Sequence, residues 1–252
     1  TLSLHDALPI LQKALASLET GLSGFDEIAI PGAPDHVAII KALSPQTPDR
    51  LRLIAQAMRH GLNDDDIQAA TAYDPWYLSR IREIVDTEAR VRRAAIDITK
   101  RGLDALAEMG GQIMTLWMGQ DGVDYSFQGD YAAMWDVTVE ALAEVADHNP
   151  ALDIAVEYKP NEPRAFALLP DLGMNLLALA EVNRPNTGIT LDFAHVLYAG
   201  EIPAQVASVV ARKSRLLGVH LNDGYGKRDD GLMVGSVHPM QTVELFVELD
   251  RI

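Results

Sequence analysis

From Ala94 onward the sequence alternates apolar strand-like runs with helical stretches, and that alternation limits the possible folds more than any other feature. Gln112 to Met118, Leu152 to Tyr158, Gly188 to Asp192 and Leu216 to Leu221 read as strands. Between them, Ala95 to Met109 ends at Gly110-Gly111 and Tyr131 to Val145 is stopped by Asn149-Pro150, so both read as helices. Met174 to Val182 and Ala204 to Lys213 are two more, and a last helix starts near Pro239. Continuous apolar strands separated by helices imply a parallel sheet, because parallel strands need long crossovers and those helices then cover the sheet.

Before Ala94 the pattern is helical throughout. Leu51, Ile54, Ala55, Met58 and Leu62 fall at helical spacing, Thr47-Pro48 supplies an N-cap followed by proline, and Gly61 ends the helix. A short helix near Asn63 carries Asp64, Asp65 and Asp66 in its first turn, where carboxylates oppose the helix dipole. A third follows Asp74-Pro75-Trp76-Tyr77, with Leu78, Ile81, Ile84 and Val85 on one face. Phe25, Trp76 and Tyr77 are expected in the core of this small all-α domain.

Charge separates the two parts. Residues 94–252 hold 11 Lys/Arg against 23 Asp/Glu, net −12 of the chain's −15. Such a surface disfavours nucleic acid and anionic lipid, which need basic stripes, and favours divalent cations wherever carboxylates converge. No window approaches the roughly 20 apolar residues of a membrane span, and the first residues lack the basic region of a signal peptide. With no cysteine there is no disulfide scaffold and no thiolate metal site. A cytoplasmic location is the expectation.

In parallel α/β folds the functional groups lie at the carboxyl ends of the strands. Glu157 and Lys159 follow LDIAV, Asp192 and His195 follow GITL, and His220, Asn222 and Asp223 follow LLGV. Three successive strands each ending in an oxygen or nitrogen ligand point to a metal site. Carboxylate and imidazole without sulfur suit Mn²⁺, Mg²⁺, Co²⁺ or Zn²⁺. Asp192 and His195, three apart, could serve two different ions, and Asp229 and Asp230 in the loop DGYGKRDDG could complete the second ion's shell. The alternative for that loop is a solvated acidic turn, and for Lys159 a salt bridge at the sheet's rim.

These residues also carry a resemblance. LWMGQDGVDYSFQGDY, VEYKPNEPR, LDFAHV and GVHLNDGYGKRDDGLMVGSVHP resemble the xylose-isomerase-like barrel superfamily, and within it the L-rhamnose-isomerase-related sugar isomerases, over residues 94–252. The resemblance implies a partial (β/α)8 TIM barrel of about four strands, the fourth to seventh of eight. It implies that Glu157, Asp192 and His220 bind a structural metal, with Mn²⁺ the first choice, and that His195 with Asp229 holds a catalytic one. Lys159 and His195 would be catalytic. Trp117, Lys159 and Asn222 would contact the sugar. Three departures stand out: the glycine loop is one residue longer between His220 and Asp229, Gly231 replaces an expected acid, and the closing strand's carboxylate lies beyond Ile252. The implied reaction is aldose–ketose isomerisation, by hydride shift with two metals or by proton transfer through an enediol with one; Asp192, His195 and the Asp229 loop favour two.

The first part resembles a different family. LQKALASLETGLSGFDEI, TPDRLRLIAQAMRHGLNDDDI and TAYDPWYLSRIREIVDTEARV resemble the oligomerisation region of the carbamoyl-phosphate synthase large subunit over residues 11–92, most strongly at Ser17-Leu18-Glu19-Thr20-Gly21 and Asp74-Pro75-Trp76. That implies a helical connecting and assembly module without catalysis. Residues 1–10, TLSLHDALPI, resemble one reading frame of a sequencing adapter. The expectation is a chimera: an adapter-like start, a helical segment over 11–92, and a sugar-isomerase fragment over 94–252. Its parent would be an intramolecular oxidoreductase acting on a small sugar, homo-oligomeric, away from nucleic acid and membrane, with this truncated form inactive. A helical assembly module with an accidental tail is the competing reading.

Overall fold

Four apolar runs become four parallel strands hydrogen-bonded in chain order: β1 (Ile113–Trp117), β2 (Asp153–Glu157), β3 (Thr187–Asp192) and β4 (Leu216–His220). The computed structural model describes residues 14–15, 24–126 and 128–252. The adapter-like residues 1–10 and the Ser17 to Gly21 motif therefore lie outside the described residues.

The chain divides into two units, residues 1–95 with 126–133, and residues 96–125 with 134–252. In the first, α1 (His36–Leu43), α2 (Arg50–Arg59), α3 (Asp64–Thr71) and the start of α4 (Pro75–Glu108) enclose Phe25, Ile39, Leu43, Ile54, Leu62, Ile67, Leu78 and Ile81. Arg52 is buried among them, donating from Nε to Gly24 O at 3.1 Å and from Nη2 to Leu15 O at 3.2 Å. Three sequence readings change here. Helix α2 begins at Arg50, and Thr47 accepts from the Arg50 N–H instead of capping with its side chain. Trp76 and Tyr77 are 54% and 47% exposed and meet edge-on at 5.0 Å, because the buried stripe of their helix runs through Leu78, Ile81 and Val85. The two helices read over 75–85 and 95–109 are one 34-residue helix, since no glycine or proline interrupts 76–101. Gly61, at φ +87°, does end α2, and Asn63 caps α3 by accepting from Asp66 N at 2.8 Å.

In the second unit α5 (Tyr131–His148), α6 (Leu172–Val182), α8 (Pro203–Lys213) and α9 (Pro239–Leu249) accompany the strands, with a short α7 (Phe193–Tyr198) directly after β3. Ile154, Val156, Ile189 and Leu191 point from the sheet into the helices and are at most 1% exposed. Burying each contributes about 1.5–3 kcal/mol. The pleat sends their neighbours the other way. On that second face Thr115 of β1 and Thr190 of β3 share a hydrogen bond of 2.9 Å although β2 lies between them. Flat strands spaced about 4.8 Å apart would hold β1 and β3 roughly 10 Å apart, so the face is strongly concave. The architecture is α/β, a partial barrel of four parallel strands.

Candidate metal centre

Register brings the strand-end residues to one level. Trp117 pairs with Glu157 and Asp192 with His220, so period-two alternation places all four at the top of the concave face. One ligand atom each from Glu157, Asp192 and His220 lie within 4.8 Å of one another. His220 Nδ1 is 3.1 Å from Glu157 Oε2 and 3.7 Å from Asp192 Oδ2. Glu157 and Asp192 are buried, whereas the His220 side chain is half-exposed on β4.

Asp192 is also the N-cap of α7, accepting from His195 N at 2.9 Å. That turn aims the His195 ring inward. Its Nδ1 is 3.2 Å from Glu157 Oε1 and 3.8 Å from Asp192 Oδ1, and Nε2 is 3.3 Å from Asp229 Oδ2. Nδ1 is buried without a well-formed hydrogen bond. Burial alone would lower the His195 pKa, but the surrounding carboxylates of Glu157, Asp192 and Asp229 outweigh it and raise it. Burial raises the Asp192 carboxyl above its ordinary value, with His195 and Asn222 offsetting part of the effect.

Lys159 lies two residues beyond Glu157 on the same side, as alternation requires. Its Nζ is 4.4 Å from the Trp117 ring centroid, 3.6 Å from Asp229 Oδ2 and 3.9 Å from Glu162 Oε2. Tyr158, between Glu157 and Lys159 in sequence, points into the core and donates to Glu201 Oε2 at 2.5 Å, while Leu172 N donates to Glu201 Oε1 at 3.1 Å. Burial, reinforced by Glu201, pushes the Tyr158 phenol far up.

The sequence did not reveal how the loop after β4 is held. Asp223 is fully buried and accepts from Gly224 N, Val237 N and His238 N, each at 2.9 Å, and from His238 Nδ1 at 2.8 Å. Its backbone pairs with Leu232 in both directions. Burial opposes its charge, yet these donors outweigh burial and hold its pKa down at about 2. The clasp fixes the loop carrying Asp229, whose N–H donates to Glu162 Oε2 at 3.1 Å. Asp230, read as a second-ion ligand, instead accepts from Tyr225 N and Arg228 Nε, both at 2.9 Å, and turns away into the loop. Asn222 donates from Nδ2 to Asp192, and its Oδ1 accepts from Ala194 N. Glu162 joins the cleft with no signal beyond its place three residues after Lys159.

The residues suit a divalent cation. Buried carboxylates, an imidazole and an orphaned ring nitrogen converge with one ammonium nearby, and oxygen and nitrogen donors without sulfur match a hard or borderline ion. A triad able to hold a metal is thus present.

Residues 8–117 match the family described as carbamoyl-phosphate synthetase large chain, oligomerisation domain, a match that continues through α4 and β1. The carbamoyl phosphate synthase large chain of Brucella melitensis biotype 1 is 48% identical over 103 residues, covering 40% of this chain and 9% of that protein. The xylose isomerase of Thermus thermophilus is 29% identical over 174 residues, 67% of this chain and 41% of that one. A solved D-tagatose 3-epimerase-like protein shares the fold with a TM-score of 0.55 at 20% identity, covering 65% of this chain and 60% of that one. The chain thus spans less than two thirds of each relative. Among the described residues no helix is long and apolar enough to cross a membrane. The chain carries a carbamoyl-phosphate synthetase oligomerisation domain in its N-terminal part and xylose-isomerase-like TIM-barrel homology in the rest, an arrangement consistent with a chimera.

Proposed function

We propose that residues 94–252 carry part of the active site of a divalent-metal-dependent aldose–ketose isomerase, joined to a helical assembly segment over residues 11–92. The observation that supports this most is the convergence of Glu157, Asp192 and His220 from three successive strands within 4.8 Å. These three would hold the ion, with Mn²⁺ first among Mn²⁺, Mg²⁺, Co²⁺ and Zn²⁺. The bound ion would supply Lewis acidity toward the oxygens at the sugar's C1 and C2.

The remaining roles fall to the chain's own groups. Lys159, capped by Trp117, offers an N–H donor to a sugar oxygen gaining negative charge. Trp117 presents the rest of its half-exposed ring to the sugar's C–H face. His195 Nε2 and Asp229 Oδ2, 3.3 Å apart, are close enough to share a proton, and Asp229 links that pair to Lys159. A second ion would have His195 and Asp229 as donors, but the Lys159 ammonium lies 3.6 Å from the same Asp229 carboxylate oxygen. We therefore assign one ion to the triad. Because the outer edges of β1 and β4 are unpaired among the described residues, binding without turnover is the outcome proposed for this chain.

Titrating the full chain with Mn²⁺, read as loss of the free-ion electron paramagnetic resonance signal, tests the reading. One tight site, lost in Glu157→Gln with an unchanged far-ultraviolet circular dichroism spectrum, is expected. No binding, or equal binding by the variant, would sink it.

A further inference from the structure

Asn222 stands two residues beyond β4 and reaches back to Asp192. Its Oδ1 accepts from Ala194 N at 2.9 Å, and since an N–H requires an acceptor, this contact fixes which end of the amide is oxygen. The NH₂ group therefore faces Asp192. Nδ2 lies 3.0 Å from Asp192 Oδ1 and 2.9 Å from Oδ2, almost equidistant from the two. A cation chelated by both oxygens of a carboxylate must approach along that same equidistant line. The Asp192 Oδ1 atom accepts further from His195 N, which fixes the carboxylate from the α7 side as well.

We propose that Asn222 is a positioning residue that blocks bidentate use of Asp192 and so sets the centre's selectivity for small ions over Ca²⁺. This rests on the reading of Glu157, Asp192 and His220 as a metal site. Ca²⁺ takes about 6–8 oxygen ligands and gathers them in part through bidentate carboxylates, while Mg²⁺ and similar ions take about six in tighter geometry. A carboxylate restricted to one oxygen serves the second group and starves the first. Among the described residues Glu157 has no such amide on it; its two oxygens face His195 and His220 separately. The discrimination would therefore be concentrated at Asp192.

Asn222 also ties the end of β4 to the first turn of α7, so its removal could loosen the scaffold generally. A purely structural role would weaken all ions in parallel and leave their ratio alone. The test is a Mn²⁺ titration of the full chain with Ca²⁺ as competitor, on wild type, Asn222→Ala and Asn222→Leu, with circular dichroism as a check on folding. Wild type is expected to favour Mn²⁺ by at least about tenfold, and both variants to narrow that ratio by about 10–100-fold, the size typical of changes behind a metal ligand. Where Asn222→Ala loses its helical signal, Asn222→Leu, which keeps the volume, decides. An unchanged ratio in the folded variant overturns the inference while leaving the metal site intact. Wild type that binds neither ion overturns the metal reading itself.

Discussion

The ammonium of Lys159 sits 4.4 Å from the centre of the Trp117 ring, so the cation nearest the cleft is capped by an indole from the neighbouring strand. The ring's negative face stabilises the charge, and the Lys159 side chain is only 7% exposed. A double-mutant cycle of Trp117→Ala and Lys159→Met, followed by urea unfolding, should return a coupling of about 0.5–2 kcal/mol. Strictly additive losses would show that the two side chains are merely adjacent.

Metal should stabilise the second unit by mass action. At 100 times its dissociation constant a bound ion adds about 2.7 kcal/mol to the folded state. Differential scanning calorimetry with Mn²⁺ and then with EDTA should show the melting temperature rise and return, and Glu157→Gln should lose the response. A melting temperature indifferent to both additions would count against the triad as a metal ligand set.

Asp223 predicts an acid-sensitive loop. Its folded pKa of about 2 lies below the ordinary 3.8, so its contribution is complete above the ordinary value and is lost as pH falls from about 4 through 2. Urea unfolding between pH 7 and pH 2 should show that loss. Asp223→Asn should lack it, because an amide does not titrate in this range. The variant should also be weaker at pH 7, since one carbonyl oxygen cannot serve four N–H donors and each stranded donor costs about 1–3 kcal/mol. A variant with wild-type acid sensitivity would place the titrating group elsewhere.

Tyr158→Phe separates the core from the cleft. Removing the phenol leaves a Glu201 oxygen without its donor and should cost about 1–3 kcal/mol in thermal unfolding. Tyr158 points away from Glu157 and Lys159, so Mn²⁺ affinity should be unchanged. Weakened binding in step with weakened stability would mean that the two faces of β2 are coupled.

The parallel sheet was legible because its strands are apolar runs of the right length between helix-length connections; the registers, including the irregularity between Ile189 and Thr190, were not. Convergence of Glu157, Asp192 and His220 was also readable, since strand ends in a parallel sheet share one edge. What could not be read is what depends on tertiary neighbours. Trp76 and Tyr77 look like core by composition, yet their position relative to Leu78 and Ile81 turns them outward. Helix α1, with Ile39 and Leu43 buried, and α7 each start at an Asp N-cap, Asp35 and Asp192, but at eight and six residues they are too short for apolar periodicity to mark them. Asn222, Asp223 and Asp230 are three similar polar residues in one loop, yet Asn222 meets Asp192 and Ala194, Asp223 meets His238, and Asp230 meets Tyr225 and Arg228 within the loop itself.

A single buried carboxylate ties both ends of the segment from Gly224 to Val237, and this has an evolutionary consequence. With its ends held by Asp223, the segment can gain or lose a residue in between while the strand that precedes it and the helix that follows stay where they are, because the entropy of closing a loop changes only slowly with its length. Residues lining the cleft can thus be exchanged loop by loop, with the barrel wall left as inherited.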